Sequence, residues 1–202
     1  MIKIKLCGLS RPCDIEAANE LHPDYIGFVF APKSCRYIFP EKAAELKRRL
    51  DPSIKAVGIF VNENPETIAV LLNDRTIDMA QLHGGESEEY IHQLRLLTDQ
   101  PILKAFRIET ERDIAAAQAS SADLVLLDSG AGTGMVFDWE LIRHIHRPYF
   151  LAGGLDTENV ASAINTLRPY GVDVSSGIET DGSKDKNKMA AFVAAVRKED
   201  TK

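Results

Sequence analysis

The sequence predicts an α/β protein folded as a single (β/α)8 TIM barrel with short loops, and three observations support this prediction. Apolar or β-branched runs alternate with segments of helical periodicity along the 202 residues. Runs such as YIGFVF and LVLLD contain few polar residues, which is typical of parallel strands covered on both faces. The strand and helix pair recurs eight times, about every 25 residues, as a closed barrel of this type requires.

The strands are assigned to the apolar runs at residues 2–6, 25–30, 55–61, 77–82, 102–106, 123–127, 148–152 and 172–175. The helices are assigned to the amphipathic segments at residues 13–21, 41–50, 65–72, 87–97, 111–119, 139–144, 159–167 and 186–196. Pro12, Pro40 and Pro65 mark helix starts, because proline is tolerated in the first turn, where the backbone N–H has no intrahelical partner. We expect residues 1–202 to form one barrel domain.

The competing α/β architecture is the open doubly wound sheet, whose dinucleotide-binding form carries Gly-x-Gly-x-x-Gly after its first strand. No such motif follows Leu6. The nearest glycine cluster, GAGTGM, follows the sixth strand and has Met135 in place of the third glycine. No Gly-x-x-x-x-Gly-Lys-Ser/Thr loop is present either. The sequence therefore argues against nicotinamide, flavin and P-loop nucleotide sites, and we expect no cofactor.

Composition and charge narrow the functional classes further. With 45% hydrophobic and 27% charged residues the chain is typical of a globular protein, and no apolar run approaches the roughly 20 residues that span a bilayer. The formal net charge of −6, without a basic stripe, argues against nucleic-acid binding. Cys7, Cys13 and Cys35 form no C-x-x-C pair, which favours a reducing compartment. We expect a cytoplasmic protein that binds neither nucleic acid nor membrane.

The functional groups of such a barrel lie at the carboxyl ends of the strands and in the loops that follow them. In this sequence those positions are rich in polar residues and glycine. The candidate site residues are Cys7, Arg36, Gln81, His83, Asp128, Gly153, Gly154, Ser175 and Ser176. His144 and His146 lie at the end of a predicted helix without a ligand cluster nearby, so we expect no metal site.

Cys7 follows the first strand and shares a face with Lys3 and Lys5, because side chains alternate along a strand. A nearby ammonium favours the thiolate, so we hypothesise that Lys5 lowers the pKa of the Cys7 thiol. The alternative is a cysteine that packs in the core as a small hydrophobic residue. Gly8 is expected to leave room beside the sulfur.

Asp128 ends the apolar run DLVLLD, where an acidic side chain is costly to bury without a role. It is either a functional carboxylate or a cap for the following turn. The segments AGGL and SSGI follow the last two strands, where backbone N–H groups can converge on a phosphate, although tight turns would also explain the glycines. Arg36 offers a planar fork suited to a carboxylate, or is a solvated loop residue. His83 is expected to face the mouth of the barrel.

Eight segments, in order and over all eight units, resemble the phosphoribosylanthranilate isomerase family of tryptophan biosynthesis: KLCGLSRPCD, IGFVFAPKSCRYI, VGIFVN, AQLHGGES, LLDSGAGTGMVFDW, LAGGLDTENV, GVDVSSGIE and GSKD. The resemblance implies a cofactor-free Amadori rearrangement of N-(5-phosphoribosyl)anthranilate to 1-(2-carboxyphenylamino)-1-deoxyribulose 5-phosphate. It also implies that Cys7 is the general base, Asp128 the general acid and Arg36 the contact for the anthranilate carboxylate. The expected partner is this small anionic substrate, bound by a monomer or homodimer.

The sequence departs from the family pattern at three loop positions. Cys35 stands where the family usually has proline, Ala131 where it has glycine, and Met135 where a longer polar residue is common. Two other functions stay open. One is a non-catalytic barrel that binds a sugar phosphate. The other is the aminoimidazole carboxamide ribotide isomerase of histidine biosynthesis, whose family typically uses two aspartates, whereas here Cys7 follows the first strand.

Overall fold

The computed structural model of the protein describes residues 1–128 and 139–200, which contain eight parallel barrel strands. The strands are β1 (Lys3–Cys7), β2 (Tyr25–Val29), β3 (Lys55–Phe60), β4 (Met79–Leu82), β5 (Ile102–Arg107), β6 (Leu124–Asp128), β7 (Tyr149–Ala152) and β8 (Gly171–Val174). Each strand pairs with the next along the chain, and β1 pairs with β8 to close the ring. The predicted (β/α)8 barrel is confirmed.

The helices of the described residues follow the barrel strands in turn. They are α1 (Pro12–Leu21), α2 (Pro40–Arg49), α3 (Pro65–Asn73), α4 (Glu88–Arg95), α5 (Glu111–Ala119), α6 (Trp139–Ile142), α7 (Val160–Leu167) and α8 (Lys186–Glu199). Pro12, Pro40 and Pro65 occupy first-turn positions, as predicted. Within residues 1–128 and 139–200 no helix has both the length and the apolar character needed to cross a membrane.

Local hydrogen bonds explain where the predicted boundaries fail. The fourth strand was predicted to start at Ile77 but starts at Met79. Ile77 is buried in the turn after α3, where its N–H donates to the carbonyl of Leu71. Ser87 was assigned to the fourth helix but is its N-cap, and its hydroxyl accepts a hydrogen bond from the N–H of Tyr90. Apolar periodicity reports burial, and it does not distinguish a strand from a buried turn.

After β8 the chain forms a 3-10 turn (Ser176–Ile178) and then an antiparallel hairpin of β9 (Glu179–Thr180) and β10 (Ser183–Lys184). Asp181 and Gly182 join these strands with φ of 50° and 74°, and a type I′ turn requires positive values at both central residues. The hairpin was not predicted, because strands of two residues leave no apolar run. The Asp-Gly pair was the signal that could have revealed it.

The strand side chains divide between two main apolar regions. Outward-facing residues such as Ile4 and Leu6 of β1 pack with the helices in one large core. A second cluster fills the barrel interior and consists of Val57, Met79, Leu103, Ala105, Leu126, Phe150 and Ala152. Cys7, Val29 and Ile59 form a small third cluster. The barrel is therefore a packed core, and the third cluster belongs to the residues that line the site described below.

Gly171 of β8 lies against the ring of Phe150, its partner in β7. A Cβ at Gly171 would stand 2.4 Å from Cε1 of that ring and 2.9 Å from Cβ of Lys3. Gly171→Ala therefore overpacks the barrel interior, and we expect the free energy of unfolding to fall by about 1–3 kcal/mol in urea denaturation. Gly85→Ala is the matched control, because the nearest atom would be 3.7 Å away. Equal stability of the two variants would contradict the close packing at Gly171.

Candidate active site

A cavity of about 420 Å³ opens at the carboxyl ends of the strands and lies within the size range of small-molecule sites. The nine candidate residues all line it, namely Cys7, Arg36, Gln81, His83, Asp128, Gly153, Gly154, Ser175 and Ser176. Asp173 lines it as well. Because the strands are parallel, their carboxyl ends meet at one rim and bring together residues that are far apart in the sequence.

Cys7 lines the cavity with only 8% of its surface exposed. It pairs with Gly27 of β2, where a Cβ would stand 2.8 Å from the Cys7 sulfur. Two residues earlier in the strand, Lys5 is fully buried, and its Nζ lies 2.9 Å from Oδ1 of Asp173. Lys5 and Asp173 are register partners in β1 and β8. Their ion pair therefore spans the seam where the barrel closes.

Burial raises the pKa of the Cys7 thiol above its ordinary value, because the thiolate loses solvation. The Lys5 and Lys184 ammonium groups act to lower that pKa, and the Asp173 carboxylate acts to raise it. Burial also acts to lower the pKa of Lys5, but Asp173 and Cys7 outweigh it and the pKa of Lys5 is raised. The Lys5 ammonium thus acts in the direction that favours the thiolate, but burial outweighs it. The effect of Lys5 on the Cys7 thiol stays a prediction.

Asp128 ends β6, and its Oδ2 lies 3.4 Å from Nε2 of His83. Nδ1 of His83 lies 3.1 Å from Nε2 of Gln81. The amide N–H of Gln81 can donate to this ring nitrogen when the imidazole proton is on Nε2. Gln81 is 1% exposed, and within the described residues its Oε1 has no hydrogen-bond partner. A bound ligand or water in the cavity can supply the missing donor.

The loops after β7 and β8 approach each other closely. Gly153 and Gly154 have φ of 91° and 64°, a region that residues with side chains disfavour. A Cβ at Gly177 would stand 2.0 Å from the carbonyl oxygen of Leu155, so the two backbones can meet only at a glycine. This arrangement can offer backbone N–H groups to an anion. Phosphate binding by these loops stays a prediction.

Two charged residues of the site, Glu179 and Lys184 of the hairpin, were missed in the sequence. Glu179 accepts hydrogen bonds from Nε of Arg36 at 2.6 Å and from Nη2 at 2.7 Å. Lys184, with 3% of its side chain exposed, donates to Oε1 of Glu179 at 2.6 Å and to the carbonyl of Ser175 at 2.9 Å. Burial acts to raise the pKa of Glu179, but Arg36 and Lys184 outweigh it and hold that pKa at about 2.

The space over Gly8, where room was expected, is occupied by the stem of Arg36. Gly8 has a φ of 81°, and a Cβ there would stand 2.6 Å from Cδ of Arg36. Cys35 is an exposed free thiol, while Ala131 and Met135 lie outside the described residues. In residues 1–128 and 139–200 no group of three or more His, Cys, Asp or Glu side chains is arranged to hold a metal ion.

The charge of Lys5 favours the Cys7 thiolate, so Lys5→Met should raise the pKa of that thiol further. The measurement is the pH dependence of iodoacetamide alkylation in a background with Cys13→Ser and Cys35→Ser, because both of these thiols are exposed. We expect the midpoint of alkylation to move to higher pH. Lys55→Met replaces an exposed lysine and should leave the midpoint in place. An unmoved midpoint in Lys5→Met would refute the effect.

A second variant separates the charge of Lys5 from that of its partner. Lys5→Met leaves Asp173 buried without its cation, and Asp173 itself acts to raise the pKa of the Cys7 thiol. In Lys5→Met combined with Asp173→Asn, we therefore expect the alkylation midpoint to lie between those of the wild type and Lys5→Met.

The ion pairs of Glu179 contribute stability that depends on pH. Because its folded pKa of about 2 lies below the ordinary 4.5, this contribution is present above about pH 4.5 and is lost as the pH falls toward 2. We expect Glu179→Gln to unfold with a free energy about 2–3 kcal/mol below that of the wild type at pH 6. The difference should shrink at pH 3 in urea denaturation. Glu158→Gln, at an exposed position, should show no such difference.

The chain is similar to known proteins along almost its whole length. A family model described as N-(5'phosphoribosyl)anthranilate (PRA) isomerase matches residues 4–195. The chain is 43% identical to N-(5'-phosphoribosyl)anthranilate isomerase of Endomicrobium trichonymphae over 202 residues, which cover 98% of this chain and 99% of the relative. It is also 43% identical to the protein of the same name from Dechloromonas aromatica, covering 98% of this chain and 97% of the relative.

Solved structures show the same relationship. The crystal structure of phosphoribosyl anthranilate isomerase from Thermotoga maritima matches with a TM-score of 0.88 at 37% identity, covering 98% of this chain and 100% of that one. A crystal structure of phosphoribosyl anthranilate isomerase in complex with reduced 1-(o-carboxyphenylamino)-1-deoxyribulose 5-phosphate matches with a TM-score of 0.86 at the same identity and coverage. Since the family model and these relatives span the barrel from β1 into α8, the chain belongs to the N-(5'-phosphoribosyl)anthranilate isomerase family.

Proposed function

We propose that this protein isomerises N-(5'-phosphoribosyl)anthranilate in tryptophan biosynthesis, with Cys7 and Asp128 as the groups that transfer protons. The family match over residues 4–195 is the main observation that supports this reaction. The cavity supports the two roles, because a thiol from β1 and a carboxylate from β6 both line it. An Amadori rearrangement converts an aminoaldose into an aminoketose, and it needs one proton donor and one proton acceptor beside the sugar.

Asp128 acts first, as the general acid. It donates a proton to the furanose ring oxygen while the bond from that oxygen to C1′ breaks. The anthranilate nitrogen supplies the electron pair, so a protonated imine forms at C1′. Asp128 must therefore carry a proton when the substrate binds. Between turnovers Asp128 regains its proton from solvent at the mouth of the barrel, where Nε2 of His83 lies 3.4 Å from its carboxylate.

Cys7 acts second, as the general base. Its thiolate removes the proton from C2′, the freed electron pair forms a C1′=C2′ double bond, and the imine nitrogen regains its lone pair. The resulting enolamine tautomerises when its C2′ hydroxyl loses a proton and C1′ gains one, which gives the ketose. Burial makes the thiolate a stronger base, and the cationic imine beside it favours its formation. Proton exchange with solvent then restores Cys7 and Asp128.

The other lining residues bind the two charged ends of the substrate. Gly153, Gly154 and the serines that follow β8 hold the phosphate through backbone N–H groups. Arg36 binds the anthranilate carboxylate, because its planar fork matches the two oxygens. The buried Oε1 of Gln81 accepts a hydrogen bond from a sugar hydroxyl, which satisfies an acceptor that is otherwise costly to bury.

The proposal extends to setting and assembly. Residues 1–202 act as one catalytic barrel in the cytoplasm, on a small anionic phosphosugar, as a monomer or homodimer. A phosphoribosylanthranilate isomerase from Thermotoga maritima is dimeric. Analytical ultracentrifugation of the purified chain across a range of concentrations distinguishes the two oligomeric states.

The test is the decay of anthranilate-type fluorescence after the protein is mixed with freshly made N-(5'-phosphoribosyl)anthranilate. We expect rapid decay with the wild type and a rate at least about a hundredfold lower with Cys7→Ser or Asp128→Asn, since a positioned acid or base contributes that much. Cys13→Ser and Asp99→Asn, both at exposed positions, are the matched controls and should retain the rate.

The outcomes separate the candidate functions. A wild type that binds a phosphate ligand but leaves the fluorescence unchanged would support a non-catalytic sugar-phosphate-binding barrel. Full activity in Cys7→Ser or Asp128→Asn would show that another group moves the corresponding proton.

A further inference from the structure

We infer that Glu179 is a positioning residue that holds the Arg36 guanidinium so that its Nη1–Nη2 edge faces the carboxylate of the substrate. This inference rests on the proposed function, in which Arg36 binds the anthranilate carboxylate. It adds a residue from the β9–β10 hairpin that acts on the substrate through Arg36 and without touching it. Three features of the structure lead to it: the edge of Arg36 that Glu179 uses, the confinement of the Arg36 stem, and the charge of the cluster.

A guanidinium has two edges that present paired N–H groups to a carboxylate, Nε with Nη2 and Nη1 with Nη2. Glu179 takes the first edge of Arg36, with contacts of 2.6 Å and 2.7 Å. This pairing uses neither proton of Nη1 and only one of the two on Nη2. Since Arg36 lines the cavity, the second edge is left to face a ligand. One arginine can therefore hold a protein carboxylate and a substrate carboxylate at the same time.

The stem of Arg36 is confined before it reaches Glu179. Its Cδ packs over Gly8, and a Cβ added at Gly8 would stand only 2.6 Å from that Cδ. Its backbone N–H donates to Oγ of Ser34 at 3.1 Å. With Cδ held in place, the guanidinium can still rotate about the side-chain bonds beyond Cδ. The paired hydrogen bonds to Glu179 prevent this rotation. The orientation is thus set before the substrate binds, which lowers the entropy cost of binding.

The negative charge of Glu179 alone would neutralise Arg36 and weaken its attraction for an anion, but the positive charge of Lys184 compensates for it. The cluster of Arg36, Glu179 and Lys184 has two positive charges and one negative, so it keeps one net positive charge. Lys184 also donates to the carbonyl of Ser175 at 2.9 Å, and the Ser175 hydroxyl donates to the carbonyl of Cys7 at 3.2 Å. A continuous chain of contacts therefore joins the carboxylate-binding group to the strand that carries the base.

The test compares two ligands that differ only in the carboxylate. One is reduced 1-(o-carboxyphenylamino)-1-deoxyribulose 5-phosphate, and the other is its phenylamino analogue without the carboxyl group. In isothermal titration calorimetry we expect Glu179→Gln to weaken the first ligand about tenfold and the second less than about twofold. We expect Arg36→Met to bind the two ligands with similar affinity, because the group that binds the carboxylate is gone. Adding Glu179→Gln to Arg36→Met should then leave the ratio of the two affinities unchanged. A merely structural role would weaken both ligands equally.

Control variants keep the result interpretable. Glu158→Gln, at an exposed position, should bind both ligands like the wild type. If Glu179→Gln does not fold, Glu179→Asp withdraws the carboxylate by one methylene and should reduce the preference for the carboxylate ligand by a smaller factor. Tighter binding of the carboxylate ligand by Glu179→Gln would mean that Glu179 competes with the substrate, and it would overturn the inference. So would equal weakening of the two ligands. A wild type that binds neither ligand would overturn the proposed function itself.

Discussion

The pairing of β1 with β8 closes the barrel, and the arrangement of the site depends on its register. Lys5 stands opposite Asp173 in this register, so Cys7, two residues further along β1, lines the cavity while Lys5 stays buried. A slip of one residue would turn these side chains toward the helices, because side chains alternate along a strand. The slip would also separate a buried cation from its carboxylate, which is strongly destabilising. The register of β1 against β8 therefore determines both the closure of the barrel and the position of the Cys7 thiol.

A second buried ion pair, between Lys104 and Glu86, holds the loop after β4 in place. Lys104 is buried on the outer face of β5, since its neighbours Leu103 and Ala105 fill the barrel interior. Its Nζ lies 2.8 Å from Glu86 and 2.7 Å from the carbonyl oxygen of Gly84. Glu86 in turn accepts hydrogen bonds from the N–H groups of Gly84 and Asn62. These contacts tie the loop to the barrel on both sides of its turn. His83, which precedes this turn, is thereby held where its ring reaches Asp128.

The two proton-transfer groups of the proposed reaction lie in different surroundings, and the difference matches their tasks. The side chain of Asp128 is 26% exposed at the mouth of the barrel, where it can regain a proton from solvent. Cys7 is 8% exposed, and burial strengthens its thiolate as a base. The lysines near the thiol oppose part of that burial effect. Each lysine is paired with a carboxylate, so the site gains these local charges without a large excess of positive charge.

The fold class and nine of the residues at the mouth of the barrel follow from the sequence alone. Apolar alternation marks eight strands, and because parallel strand ends converge, polar residues that follow the strands, such as Cys7 and Asp128, meet in one cavity. The ion-pair partners of the site residues, by contrast, can be identified only in the folded structure. Arg36 and Glu179 are 143 residues apart, and Lys5 and Asp173 are 168 apart. A pattern along the chain reports burial and periodicity, whereas these contacts depend on register across the seam and on a hairpin too short to leave a pattern.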